Sequence, residues 1–182
     1  ERCKIFLILL IMILQKGSPV AQNSFAEQFE YAKKLYEEEK YFDAITEFKR
    51  LLFFVDGDDF NYKANILIGL SYKNGVRFSE SIEHFTKAKL FSSTPDAVFE
   101  SQLEIIKINM LRRSSMKALV MLDSLQKDPQ FIGKTDEINY WRGWAYIFSD
   151  DWEKAALTFS EIQDTHFLAN LCDSVNNSVQ IG

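Results

Sequence analysis

The chain has 182 residues, 47% of them hydrophobic and 14% aromatic, and its 21 Lys and Arg against 26 Asp and Glu leave a formal charge of −5. This is apolar enough for one folded domain with a core, and it excludes a wholly disordered chain. The acidic balance, without a long run of like charge, excludes the positive footprint of a non-specific nucleic-acid binder, and 3 Pro and 7 Gly are few for a turn-rich all-β protein.

Arg2 and Lys4 precede ten uninterrupted apolar residues, Ile5–Leu14, which Gln15 and Lys16 close before the small residues around Ser18-Pro19-Val20-Ala21. Ten helical residues reach about 15 Å, half of a hydrocarbon core about 30 Å thick. A basic start, a short apolar run and a small-residue exit predict a secretory signal over residues 1–21, cut after Ala21 or Gln22. A buried first helix and an uncleaved anchor are the competing readings of the run. On the signal reading the mature domain is 22–182, exported to the periplasm or cell envelope, with no membrane insertion after cleavage. Cys3 leaves with the signal and Cys172 stands alone, so no intrachain disulfide is expected.

From residue 40 onward four segments line up: "KYFDAITEFKRLL" (40–52), "VRFSESIEHFTKA" (76–88), "RSSMKALVMLDSL" (113–125) and "DDWEKAALTFSEI" (150–162). Their small residues, Ala44, Ser81, Ala118 and Ala155, stand 37 apart without slippage. Four residues later come Phe48, Phe85, Leu122 and Phe159, and three further on Leu51, Ala88, Leu125 and Ile162. The i, i+4, i+7 spacing is one stripe of an amphipathic helix with a small residue at its closest contact.

A second set of helices precedes these. "NILIGLSYKNG" (65–75) and "NYWRGWAYIFS" (139–149) place Gly69 with Tyr72, and Gly143 with Tyr146, at matching distances before Ser81 and Ala155. Ser24 with Glu27, Thr94 before Pro95 and Asp96, and Thr135 before Asp136 and Glu137 are the predicted helix starts. Breakers fall between pairs at 56–59, 92–96 and 127–136.

This pattern resembles the tetratricopeptide repeat, strongly in the second and fourth units through Gly69, Tyr72, Phe85, Ala88 and Gly143, Tyr146, Ala155, Phe159. The first unit is partial, with Ala32 and Leu35 in the paired places, and the third, with Ile106 and Asn109, is carried by the spacing. The resemblance implies an all-α fold: an α-solenoid of about four helix-turn-helix repeats, at about 25–59, 62–95, 99–132 and 136–164, closed by a C-terminal capping helix over 165–178. Cys172 is then core filler in that cap.

Little in the chain points to chemistry. His84 and His166 lie far apart without ligand spacing, His84 as a surface or half-buried helix residue, and 56–59 lacks the downstream Glu of a calcium loop. No catalytic residues, metal or cofactor are expected. Binding is what the resemblance implies, in a concave groove lined by the first helices: Phe29, Lys33 and Tyr36; Ile66, Leu70 and Lys73; Leu103, Lys107 and Met110; Tyr140, Trp144 and Phe148. Such a trough suits a peptide or protein segment, unless the chain's own C-terminal helix covers Tyr140 and Trp144. Phe29 and Lys33 stand where carboxylate-clamping members carry Lys and Asn, which argues against a cytosolic co-chaperone. The expected role is a non-catalytic interaction scaffold of the cell envelope; a self-assembling homo-oligomer or an accessory subunit is the alternative.

Overall fold

The computed structural model describes residues 19–55 and 57–171. Most of the expected signal, residues 1–18, lies outside them, as do Cys172 and the rest of the expected cap beyond residue 171. Among the described residues every regular element is helical: α1 (Pro19–Glu37), α2 (Tyr41–Phe54), α3 (Asp58–Asn74), α4 (Phe78–Leu90), α5 (Pro95–Leu111), α6 (Ser115–Lys127), a 3₁₀ turn (Pro129–Lys134), α7 (Thr135–Ile147) and α8 (Trp152–Ser160). The chain is helical again over 165–171. No described helix is long and apolar enough to cross a membrane. Each helix packs on the next in chain order, and α1 also reaches α3.

The second helix of each pair begins at Tyr41, Phe78, Ser115 and Trp152, again 37 apart. The turns before them share one backbone solution. Glu39, Val76, Arg113 and Asp150 all adopt left-handed φ, between 56° and 62°. The amide after each reaches back to a first-helix carbonyl: Lys40 to Leu35, Arg77 to Tyr72, Ser114 to Asn109 and Asp151 to Tyr146, at 2.8–3.0 Å. This is a Schellman closure, which satisfies the carbonyls that a helix end leaves orphaned. Glycine is the usual residue there; none of these four is glycine, and β-branched Val76 bears the largest steric cost.

Helix starts depart from expectation in two places. Ser24 lies inside α1, which begins at Pro19, so the proposed capping box does not form. Proline at the first helical position needs no hydrogen-bond partner and carries a helical φ already. Thr135 is the first residue of α7 rather than its cap, because its hydroxyl donates to Ile132 O in the preceding 3₁₀ turn. Thr94 does cap α5, accepting from Ala97 N at 3.2 Å with Pro95 next. The pairs accordingly start at 19, 58, 95 and 135, ahead of the expected 25, 62, 99 and 136.

The small stripe is interior. Ala44, Ser81 and Ala118 are fully buried and Ala155 nearly so. Ser81 satisfies its hydroxyl by donating to Gly69 O at 2.7 Å, directly across the α3–α4 contact. The partner glycines are needed for approach. A Cβ on Gly69 would come within 2.8 Å of the Phe85 ring, and one on Gly143 would overlap Phe159. Ala32 and Phe48 share the first core cluster, while the third pair evens the sizes with Ile106 and Leu122, both fully buried. Phe131 of the 3₁₀ turn wedges against Phe99, ring centroids 5.4 Å apart, and joins the third pair to the fourth.

Gly143→Ala should therefore destabilise the fold by about 1–3 kcal/mol through overpacking. Adding Phe159→Leu, which places there the residue that the third pair carries at Leu122, should recover part of that loss in urea unfolding. Additive losses in the double variant would show that the two residues do not share one space.

Candidate functional site

The first helices α1, α3, α5 and α7 stand side by side, and specific side chains tie each to the next. Phe29 of α1 packs edge-on to Phe60 of α3, centroids 6.0 Å apart. From α3, Tyr62 donates to Glu100 Oε2 of α5 at 2.5 Å, and Lys73 donates to Glu104 Oε2 at 2.5 Å. Lys107 of α5 donates to Glu104 Oε1 at 2.8 Å and lies over the ring of Trp141 of α7, 4.5 Å from its centroid.

Glu104 is the hub of this face. Its side chain is only 12% exposed. Burial pushes its carboxyl upward, but Lys107 and then Lys73 outweigh that and hold it below the usual carboxylate range. One carboxylate thus faces two ammonium groups, themselves 21% and 25% exposed, and one positive charge is left over. Tyr36 of α1 is held toward the same region, its phenol shifted upward by burial against a hydrogen bond with Asn74.

The twelve residues expected to line the groove divide into three groups. The first place of each triplet packs against neighbouring elements: Ile66 and Leu103 are buried, while Phe29 and Tyr140 stay partly exposed. Phe29 packs on Phe48 and Phe60, Ile66 is buried with Phe85 and Ile108, and Leu103 is buried with Phe131 and Ile138. Tyr140 meets Phe167 of the stretch 165–171, centroids 5.5 Å apart. Met110, 2% exposed, is also core. Lys33, Tyr36, Leu70, Lys73, Lys107 and Trp144 remain partly exposed on the face. Phe148, 48% exposed, sits one place beyond the 37-residue relation, which falls on Ile147, and it is the residue that closes α7.

Several face residues escaped the sequence reading. Glu104 and Trp141 were passed over, although an acid inside the otherwise apolar stretch of α5, three residues before Lys107, is a readable signal. Leu111, 53% exposed, is 37 residues before Phe148, so α5 and α7 each carry an exposed apolar side chain at the same place near their ends. Toward the other end, Phe29, Ile66 and Leu67 floor a concavity of about 350 Å³ with Lys33 and Tyr62 at its edge.

The stretch 165–171 occupies the end of the stack. Asp136 of α7 accepts from the amides of Gln163 and Asp164, and Asp164 accepts from His166 N at 2.8 Å. Phe167 thereby covers Tyr140.

No protein-family model matches the chain, and no curated protein matches it.

Asp58 and Asp59 form the first turn of α3, where carboxylates complement the helix dipole. Among the described residues no group of three or more His, Cys, Asp and Glu side chains is placed to hold a metal ion. His84 is not a surface residue: it is 6% exposed. Its Nδ1 lies 2.8 Å from Asn65 Oδ1, and burial, then Lys87 and Lys49, lower its imidazole to about 4.

Glu104→Gln should destabilise the fold by about 2 kcal/mol at pH 7, since it leaves two half-buried ammonium groups without their counter-ion. A carboxyl held low when folded contributes stability above its ordinary pKa and loses it as pH falls through the lowered one. The gap between the wild-type and variant unfolding free energies should therefore close below about pH 4.5. A gap that persists unchanged into acid would show that charge is not its origin.

Proposed function

We propose that the chain is a non-catalytic α-solenoid of tetratricopeptide-like repeats that holds a peptide or protein segment on its first-helix face. The observation that carries this reading is the face itself. Four consecutive first helices are tied by Phe29–Phe60, Tyr62–Glu100, Lys73–Glu104 and Lys107–Trp141, so the wall is set before any partner arrives. Preorganisation of that kind lowers the ordering cost of binding. Trp144, Leu111 and Phe148 leave apolar and aromatic surface on it, the residue types that anchor interfaces. The register of the buried small residues and the four matching turns support the repeat assignment. The pattern of residues 1–21 supports export to the cell envelope, where such a scaffold would hold components together.

A second reading, self-assembly, is favoured by a different observation. The second helices expose Phe53, Phe54, Met116, Val120 and Leu157, each more than half accessible. Light scattering over a concentration series separates the two: a monomer at all concentrations removes self-assembly, and a rising mass removes the free-scaffold reading.

For the first reading, peptides selected from a displayed random library against residues 22–182 should bind the first-helix face. Phe148→Ala with Leu111→Ala should weaken them at least tenfold, about 1.4 kcal/mol, with the fold intact by circular dichroism. Binding that ignores these changes but fails on Met116→Ala would move the site to the opposite face.

A further inference from the structure

One place in the 37-residue unit always carries an amide on the first helix: Gln28, Asn65, Gln102 and Asn139. Nineteen residues later the second helix offers Glu47, His84, Met121 and Thr158. In the first two pairs these places meet, Gln28 bonding Glu47 and Asn65 bonding His84. The third and fourth pairs put groups there that do not titrate. The imidazole is thus a single substitution in a recurring polar contact, and it is the member whose charge changes in mild acid.

The surroundings of His84 bind several elements at one point. Asn65 donates its amide nitrogen to Asn61 O at 2.7 Å, so its oxygen accepts and the hydrogen sits on His84 Nδ1. The ring stacks on Tyr72 of α3, centroids 5.6 Å apart at 28°. The Tyr72 hydroxyl accepts from Lys49 Nζ of α2 at 2.8 Å. The groups facing the imidazole are therefore Lys49 from α2, Tyr72 from α3, and Glu83 and Lys87 from α4 itself, the last two paired at 2.6 Å. Burial of the ring, and then two ammonium groups against one carboxylate at its solvent edge, oppose a second proton on it.

We propose that His84 is a proton-sensitive latch on the joint between the first two helix pairs: neutral, it holds α4 against α3 and, through Tyr72, α3 against α2, and in acid it releases that joint while α5–α8 stay packed. The energetic sign follows from linkage. An opened imidazole takes a proton near its ordinary value of 6.5, whereas the packed one resists until about 4. Above 6.5 neither state is charged and the latch is fully closed. Between the two values opening becomes about tenfold easier for each unit that pH falls.

Hydrogen exchange of residues 22–182, corrected for intrinsic rates, tests this at pH 7, 6 and 5. Opening of α3 and α4 should rise about tenfold from pH 6 to 5, while α6 and α7 change little. In His84→Gln the rise should vanish. An equal rise in α6 and α7, or a rise that persists in the variant, overturns the latch. Should His84→Gln not fold, imidazole titration by NMR of the wild type, assigned with His166→Gln, decides instead. A His84 that stays neutral at pH 5 supports the proposal, and one that titrates near 6.5 overturns it.

Discussion

The fold depends on how closely two helices of a pair can approach. At Gly69 and Gly143 the backbone of a first helix lies against the ring of Phe85 or Phe159 with no room for a methyl group. Dense packing makes that contact unforgiving, because interiors carry few voids and little slack. Once the pair is fixed, the rings fill the wedge toward the neighbouring pair, and no pair buries its apolar side without another beside it. The third pair meets the same constraint with other residues, Ile106 and Leu122, both fully buried in one cluster.

That constraint explains what was legible in the sequence. The 37-residue beat could be read because close approach forces small residues onto fixed positions, and Ala44, Ser81, Ala118 and Ala155 are all buried as the pattern required. Helix starts were read less well. Ser24 and Thr135 have the right chemistry for caps, but Ser24 lies inside a helix that already runs from Pro19, and the Thr135 hydroxyl is taken by Ile132 O of the 3₁₀ turn. The candidate face was read least well. Ile66, Leu103 and Tyr140 occupy places that one helix alone presents as surface. Ile66 and Leu103 are covered by the neighbouring pair, and Tyr140 meets Phe167 of the stretch 165–171, contacts that no single-helix periodicity encodes.

Polar groups divide the labour differently. On the first-helix face, Glu104 neutralises one of two lysines and fixes both, so charge there organises a surface. Between α3 and α4, His84 and Asn65 place a polar contact inside the packing, where charge would be costly. The first cluster spans successive pairs, and the second lies within one pair and reaches α2 through Tyr72 and Lys49. What the first does for shape, the second does for response to the medium.

The four left-handed turns carry a consequence for how such a chain can change length. Glu39, Val76, Arg113 and Asp150 share a φ within 6° of one another, and the same amide-to-carbonyl closure follows each. With that hinge geometry fixed by the main chain, an insertion of one or two residues there would rotate the whole downstream array out of contact. Gain or loss of a complete 37-residue block would leave every remaining joint with an equivalent neighbour, so drift in length is tolerated in whole blocks or at the connections after α2, α4 and α6.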